Sequence, residues 1–369
     1  MALRFIKTLL LVSLVTVLLM PAGFAAAPVV YDKWGYIGKS GNMVIPLQFA
    51  EAEEFSEGLA GVRMEVEPGY FKNGYIDKNG NVVIPPQFDR SLKFSEGLAG
   101  VKVNDKWGFV DMSGTMIVPA EYQEDPALYG ANSGHRMRYN NLDQYTFHEG
   151  MAVVRTNDKY GYVDKSGAMV IPAQFEDAGS FSEGLAGVKV GDKYGFIDMT
   201  GRMVIPAQFE DAAIFAEGLA GVRIDRKWGL IDKTGELVVP AQFGILGGYK
   251  DGMRRVWAFD DQSFNFKSGF IDKSGSLVIP MQPGLANDFS DGLSIVTIKG
   301  KYGFVDKSLK TMMIPAQVEM ASIFQEGLAA VQMQSKWGFI DKTLKLVIPA
   351  QFDGVHLFSE GLAAVKMKH

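Results

Sequence analysis

The chain has 369 residues, 42 glycines, no cysteine and a formal net charge of −5. Without cysteine it can form no disulfide and no thiol nucleophile, and its mild acidity excludes the basic footprint of a nucleic-acid binder. Aromatic residues make up 12% of the chain and Val and Ile are abundant, which favours strands over helices.

Residues 1–25 read as a signal peptide. Arg4 and Lys7 form a basic start, residues 9–20 an apolar run, Pro21 and Gly23 a break, and Ala25, Ala26 and Ala27 a small-residue cleavage region. The run is shorter than the roughly 20 residues that span a bilayer, and no later segment is long and apolar enough to do so. The expected location is therefore periplasmic or extracellular.

Residues 29–369 repeat one unit nine times. Three landmarks recur in fixed order. The first is an aromatic residue before glycine, as at Trp34-Gly35, Tyr194-Gly195 and Trp337-Gly338, with Asn73 and Ser268 in place of the aromatic in two copies. The second is a β-branched residue before proline, from Ile45-Pro46 to Ile348-Pro349; the third is an acid before Gly-Leu or Gly-Met, from Glu57 to Glu360. The usual spacings of 11, 1, 11 and 11 residues give a period of 34. Extra residues fall before Asn73, at 121–141, before Ser268 and before Ile314.

Within a unit, β-rich runs of four to six residues alternate with Gly/Asp turns, and no stretch holds a helical period. The copy at 181–209 yields strands near 185–190, 194–198 and 203–205, with 208–216 as a linker. The expected fold is all-β: about nine three-stranded units, each burying its apolar face against its neighbours. An open solenoid-like stack is the leading expectation. A β-propeller is the alternative, since nine units exceed the usual four to eight blades.

The runs Lys-Trp-Gly-Phe-Ile-Asp-Lys, Val-Ile-Pro-Ala-Gln-Phe and Phe-Ser-Glu-Gly-Leu-Ala resemble the bacterial WG (KWG) repeat. The resemblance covers roughly 29–369 and implies a repeat scaffold with little chemistry of its own.

Each repeated residue has a structural and a functional reading. The aromatic packs in a core or forms a sugar platform; the glycine after it serves a positive φ or a close backbone approach. Asp-Lys-Ser-Gly forms a turn with a left-handed last residue, calcium ligation being the rival reading. The acid before glycine accepts backbone amides at a turn, or presents a ladder of charge. His135, His148, His356 and His369 lack metal-ligand spacing, so neither metal nor cofactor is expected.

These features point to a non-catalytic scaffold for protein or cell-envelope polysaccharide. The alternative is a hydrolase with its site in the 121–141 insertion, where His135 is the candidate general base. The insertions before Asn73 and Ser268 lengthen the same hairpin in two copies and bring in aromatic residues. Tyr70, Phe71, Arg254, Arg255, Trp257 and Phe259 are therefore the candidate ligand-binding residues. The competing reading returns an added aromatic to the vacated core position.

Overall fold

The structure is a computed structural model that describes residues 32–124, 144–250, 252–260, 265–282, 287–298, 300–308, 310–314 and 318–368. Residues Tyr31–His369 form one compact unit. The signal segment at 1–25, and His135 with most of the 121–141 insertion, lie outside the described residues.

Thirty-five strands are described, in nine antiparallel sheets. Eight sheets have four strands and one has three. Blade 1 joins the two ends of the described chain: Gly354–Val355 and Leu362–Met367 pair alongside Lys33–Gly38 and Met43–Phe49. Lys33 lies opposite Met367 and Gly38 opposite Leu362. Blades 2 to 9 follow in chain order, and the pairing of first and last strands closes them into a β-propeller. The open stack is thereby overturned, because an open array would leave the Leu362–Met367 edge unpaired.

The three-stranded unit is corrected as well. The stretch read as a linker at 208–216 contains the strand Asp211–Ala216, which opens the next blade. Each such strand is short and lacks clean alternation, so it gives little sequence signal. Neighbouring blades meet closely at these first strands: the Ser56 hydroxyl donates to Phe94 O of the next blade (2.8 Å), and Ser182 to Phe215 O (2.7 Å). The fourth strands end each sheet and carry exposed Met, Val and Leu. The first strands therefore face the axis and the fourth strands form the rim.

The aromatic-glycine step works by close approach. A Cβ on Gly35 would sit 2.5 Å from Ile45 O, and one on Gly195 2.5 Å from Ile205 O. Here the third strand presses against the backbone of the fourth at the β-branched residue before proline. That explains why the two landmarks keep their spacing. Two residues after the aromatic position, another ring packs on a ring from the following blade in every copy except the one holding Leu230. Examples are Tyr36 on Phe55, Phe196 on Phe215 and Phe339 on Phe358, with centroids 4.9, 5.0 and 5.0 Å apart.

The Asp-x-x-Gly turns take the expected form. At Asp77, Gly80 N donates back to Asp77 O (3.0 Å), Gly80 has φ +85°, and Asp77 Oδ1 accepts the amides of Asn79 and Asn81. The hydroxyl of Thr200 and neighbouring amides hold the Asp198 carboxyl down to about 2, below its ordinary 3.8. Seven other turn aspartates, from Asp77 to Asp341, are lowered in the same direction. A carboxyl depressed by folding contributes stability above its unfolded value, which is lost as pH falls through the folded one. The melting temperature should therefore stay level above about pH 5 and fall steadily from about pH 4 toward 2. A thermal melt series showing no loss by pH 3 would contradict this.

Candidate functional site

The acid before glycine has a role that the sequence reading missed. Ser56-Glu57-Gly58-Leu59 is a two-residue hairpin with Glu57 at φ 54° and Gly58 at φ 85°. Such turns favour Asn, Asp or Gly at the first central position, so glutamate sits there at a conformational cost. Its carboxylate reaches the next blade rather than its own turn. Glu57 accepts Glu96 N and Gly97 N (2.7 and 2.8 Å), Glu149 accepts Glu183 N and Gly184 N, and Glu326 accepts Gly361 N. Across the closure, Glu360 accepts Gly58 N (3.1 Å).

The lysine of the Asp-Lys turn on the following blade often joins this contact. Lys78 meets Glu360 (2.8 Å), Lys165 meets Glu96 (3.0 Å) and Lys233 meets Glu183 (3.3 Å), and Lys39, in the Gly-Lys turn of blade 1, meets Glu326 (3.1 Å). Burial pushes the Glu96 carboxyl up, but Lys165 and the amides beyond it bring it below its ordinary value. Methionine replaces this lysine at Met112 and Met199, and there the preceding acids, Glu57 and Glu149, take two amides each. One face of the propeller thus carries a repeated acid-to-amide clasp between blades.

The opposite face carries a second set of bridges. The residue linking one blade to the next caps the hairpin between the second and third strands of the following blade. Asp89 accepts Asn104 N (2.8 Å) and Glu176 accepts Gly191 N (3.2 Å); in blade 1, where no hairpin joins these two strands, Asp353 makes the equivalent bond to Lys368 N (2.9 Å). Ala50 and Gly244 make the same backbone contact as these residues, to Arg63 O and Trp257 O, but bring no carboxylate. They precede blades 2 and 7, the two with lengthened hairpins and with Asn73 and Ser268 in the aromatic position. Hairpin length, cap and aromatic are therefore lost together. The two blades are four apart in one direction and five in the other, so their hairpins stand nearly opposite on one face.

In the regular blades the second-strand residue facing the aromatic is often cationic. Arg155 lies over Tyr160, Lys189 over Tyr194 and Lys366 over Trp34, at 5.9, 5.8 and 5.7 Å. Blade 2 shifts this pair along the ladder: Arg63 faces Asn73 and lies over Phe71 (5.4 Å). Blade 7 moves the ring across the ladder: Trp257 faces Ser268, with the Arg255 guanidinium 3.9 Å from its centroid. Both placements put an added ring beside the vacated position.

Arg254 and Arg255 occupy the places of Ala186-Gly187 in blade 5 and are 2% and 9% exposed. The Arg254 guanidinium lies against Gly221 of blade 6, and Arg255 pairs with Asp288 at 3.0 Å. They join neighbouring blades and are buried there. Trp257 is half-buried, Tyr70 is 51% exposed with Lys72 5.3 Å from its ring centroid, and the Phe259 side chain lies outside the described residues. Trp257→Ala should cost about 1–2 kcal/mol through lost packing under Arg255. Urea denaturation showing no change would place Trp257 outside the core.

The model of the WG containing repeat matches residues 34–65, 74–107, 107–124, 137–160, 160–194, 194–228, 228–256, 269–302, 302–337 and 337–368. The segments 107–124 and 137–160 flank the insertion, so these ten stretches follow nine blades. The crystal structure of a eukaryotic initiation factor has a TM-score of 0.59 at 11% identity, covering 91% of this chain and 98% of that one. That likeness bears on the fold alone. Hsv2p of Kluyveromyces lactis, at TM-score 0.38, 10% identity and coverages of 67% and 90%, is too distant to support an argument. No curated protein matches the chain. The repeat matches run through most of the sequence in step with the blades, and the protein belongs to the WG repeat family.

Proposed function

We propose that this chain is an exported, non-catalytic scaffold that holds protein or cell-envelope polysaccharide against the face bearing the hairpins of blades 2 and 7. The observation that carries this reading is Tyr70, exposed on the hairpin Leu59–Glu67/Tyr70–Asp77, which extends beyond the regular blade. A ring with one apolar face and a polar rim is a strong contact residue at low entropic cost. The basic, apolar and small-residue order of 1–27 supports export.

Tyr70→Ala should leave the melting temperature within about 2 °C, because it vacates no core position. It should also weaken retention of the purified protein in gels containing cell-envelope polysaccharide, or on immobilised envelope protein, by about tenfold. Unchanged retention in both formats would rule out this face.

A further inference from the structure

Two Asn-Gly steps occur in the chain, and the fold treats them differently. Asn73-Gly74 lies inside the strand Tyr70–Asp77 of blade 2. The Asn73 amide donates to Asp89 O (2.9 Å), and Gly74 is buried, with a Cβ there only 2.5 Å from Ile84 O. Asn79-Gly80 falls in the turn that follows, where Asn79 is exposed. The other eight turns of this kind hold serine or threonine at its position. The hydroxyls of Ser113 and Ser166, for example, donate to their turn aspartates at 2.6 Å. Asn79 gives Asp77 its backbone amide (2.9 Å), and its side chain lies beside the same carboxylate.

We propose that Asn79 is a site of spontaneous modification, converted in the folded protein to aspartate and isoaspartate. An asparagine before glycine carries an electrophile beside a nucleophile. The glycine has no side chain to shield its amide nitrogen, and its backbone turns freely. Gly80 N donates to Asp77 O (3.0 Å), so the reaction runs through local opening of an exposed turn, a smaller event than parting a sheet. In the open turn Gly80 N gives its proton to hydroxide and bonds to Asn79 Cγ. The Cγ–Nδ2 bond then breaks, and ammonia leaves with a proton from water. Water adds to either carbonyl of the resulting five-membered imide and one ring C–N bond breaks. Opening at Cγ gives aspartate, and opening at the backbone carbonyl gives isoaspartate. Water is the only co-reactant consumed, and no electrons are transferred.

The place of this turn gives the conversion an effect. Lys78, the preceding residue, pairs with Glu360 at 2.8 Å, and Glu360 accepts Gly58 N (3.1 Å) across the ring closure. A carboxylate at position 79 competes with Glu360 for Lys78. Isoaspartate also adds a backbone carbon to a turn in which Asp77 Oδ1 accepts the amides of Asn79 and Asn81. The seam is thereby weakened irreversibly as molecules age, and a ring that opens recloses less readily. The turn lies on the face of the acid-to-amide clasps, so the inference does not rest on the hairpin face as a binding surface.

The test incubates the full chain in warm, mildly alkaline buffer, both folded and unfolded in guanidinium. Protease digestion and mass spectrometry follow, with fragmentation that distinguishes isoaspartate from aspartate. In the folded chain position 79 should convert at least about tenfold faster than position 73, and in the unfolded chain the two should convert at similar rates. Asn79→Ser should give no acid at this position. Converted chains, separated by ion exchange, should refold from guanidinium with about half the yield of unconverted ones, and the loss should shrink in a Lys78→Ala background. The site is overturned if Asn79 stays intact in the folded chain while it converts in the unfolded one, or if positions 73 and 79 convert equally in the folded chain. Equal refolding yields for converted and unconverted chains, or a loss unchanged by Lys78→Ala, would overturn its action on the seam.

Discussion

Gly195→Ala should destabilise the protein by at least about 3 kcal/mol, whereas Gly187→Ala in the same hairpin should change stability by less than about 0.5 kcal/mol. A Cβ on Gly195 would meet Ile205 O at 2.5 Å, Ala207 N at 2.7 Å and Ala207 Cα at 2.9 Å, all of them backbone atoms held by strand pairing. On Gly187 it would meet only side-chain atoms at 3.5 Å and beyond, and neither glycine has positive φ. The pair separates close approach from the general effect of adding a methyl group. Equal urea midpoints for the two variants would remove the close-approach account of the aromatic-glycine landmark.

Phe215→Ala should cost about 3–5 kcal/mol, the usual range for emptying a buried aromatic site. Phe215 is fully buried and meets Phe196 of the preceding blade edge-on at 5.0 Å, so its loss opens a cavity between two blades. The neighbouring Ile214→Ala should cost less than about 1 kcal/mol, since Ile214 is half-exposed. Guanidinium denaturation of both variants checks the contrast. A loss for Phe215→Ala as small as for Ile214→Ala would show that neighbouring blades are not held by these rings.

Much of this architecture was legible because the landmarks are backbone constraints. Glycine before the β-branched-Pro step, Asp at the turn and Gly at its end all record local geometry, so copies and most strands follow from them. Ring closure does not. Its evidence is the pairing of Lys33–Gly38 with Leu362–Met367, and neither segment differs from its counterparts in blades whose hairpin is continuous in sequence. The glutamates show a similar limit. Glu57 has the same local setting whether its carboxylate turns inward or reaches Gly97 of the next blade, so spacing alone does not show which turn it serves. Arg254 and Arg255 resembled a surface patch because arginine is rarely buried, yet they fill the place of an Ala-Gly pair between blades. Tyr70 was readable for the opposite reason: an aromatic added to a lengthened hairpin has no core position reserved for it.

Blade 1 takes strands from both ends of the chain, and this orders events during synthesis. Eight blades can form from contiguous sequence as it emerges. The ninth awaits Leu362–Met367, more than 300 residues after the hairpin Lys33–Gly38/Met43–Phe49 that it must join. Until then that hairpin has a bare edge, and the growing arc ends in uncovered apolar surface. The slowest and most aggregation-sensitive step of folding should therefore be ring closure, when the other eight blades are already ordered. Substitutions at this seam would then act chiefly on the yield of folded protein rather than on the behaviour of molecules that have closed.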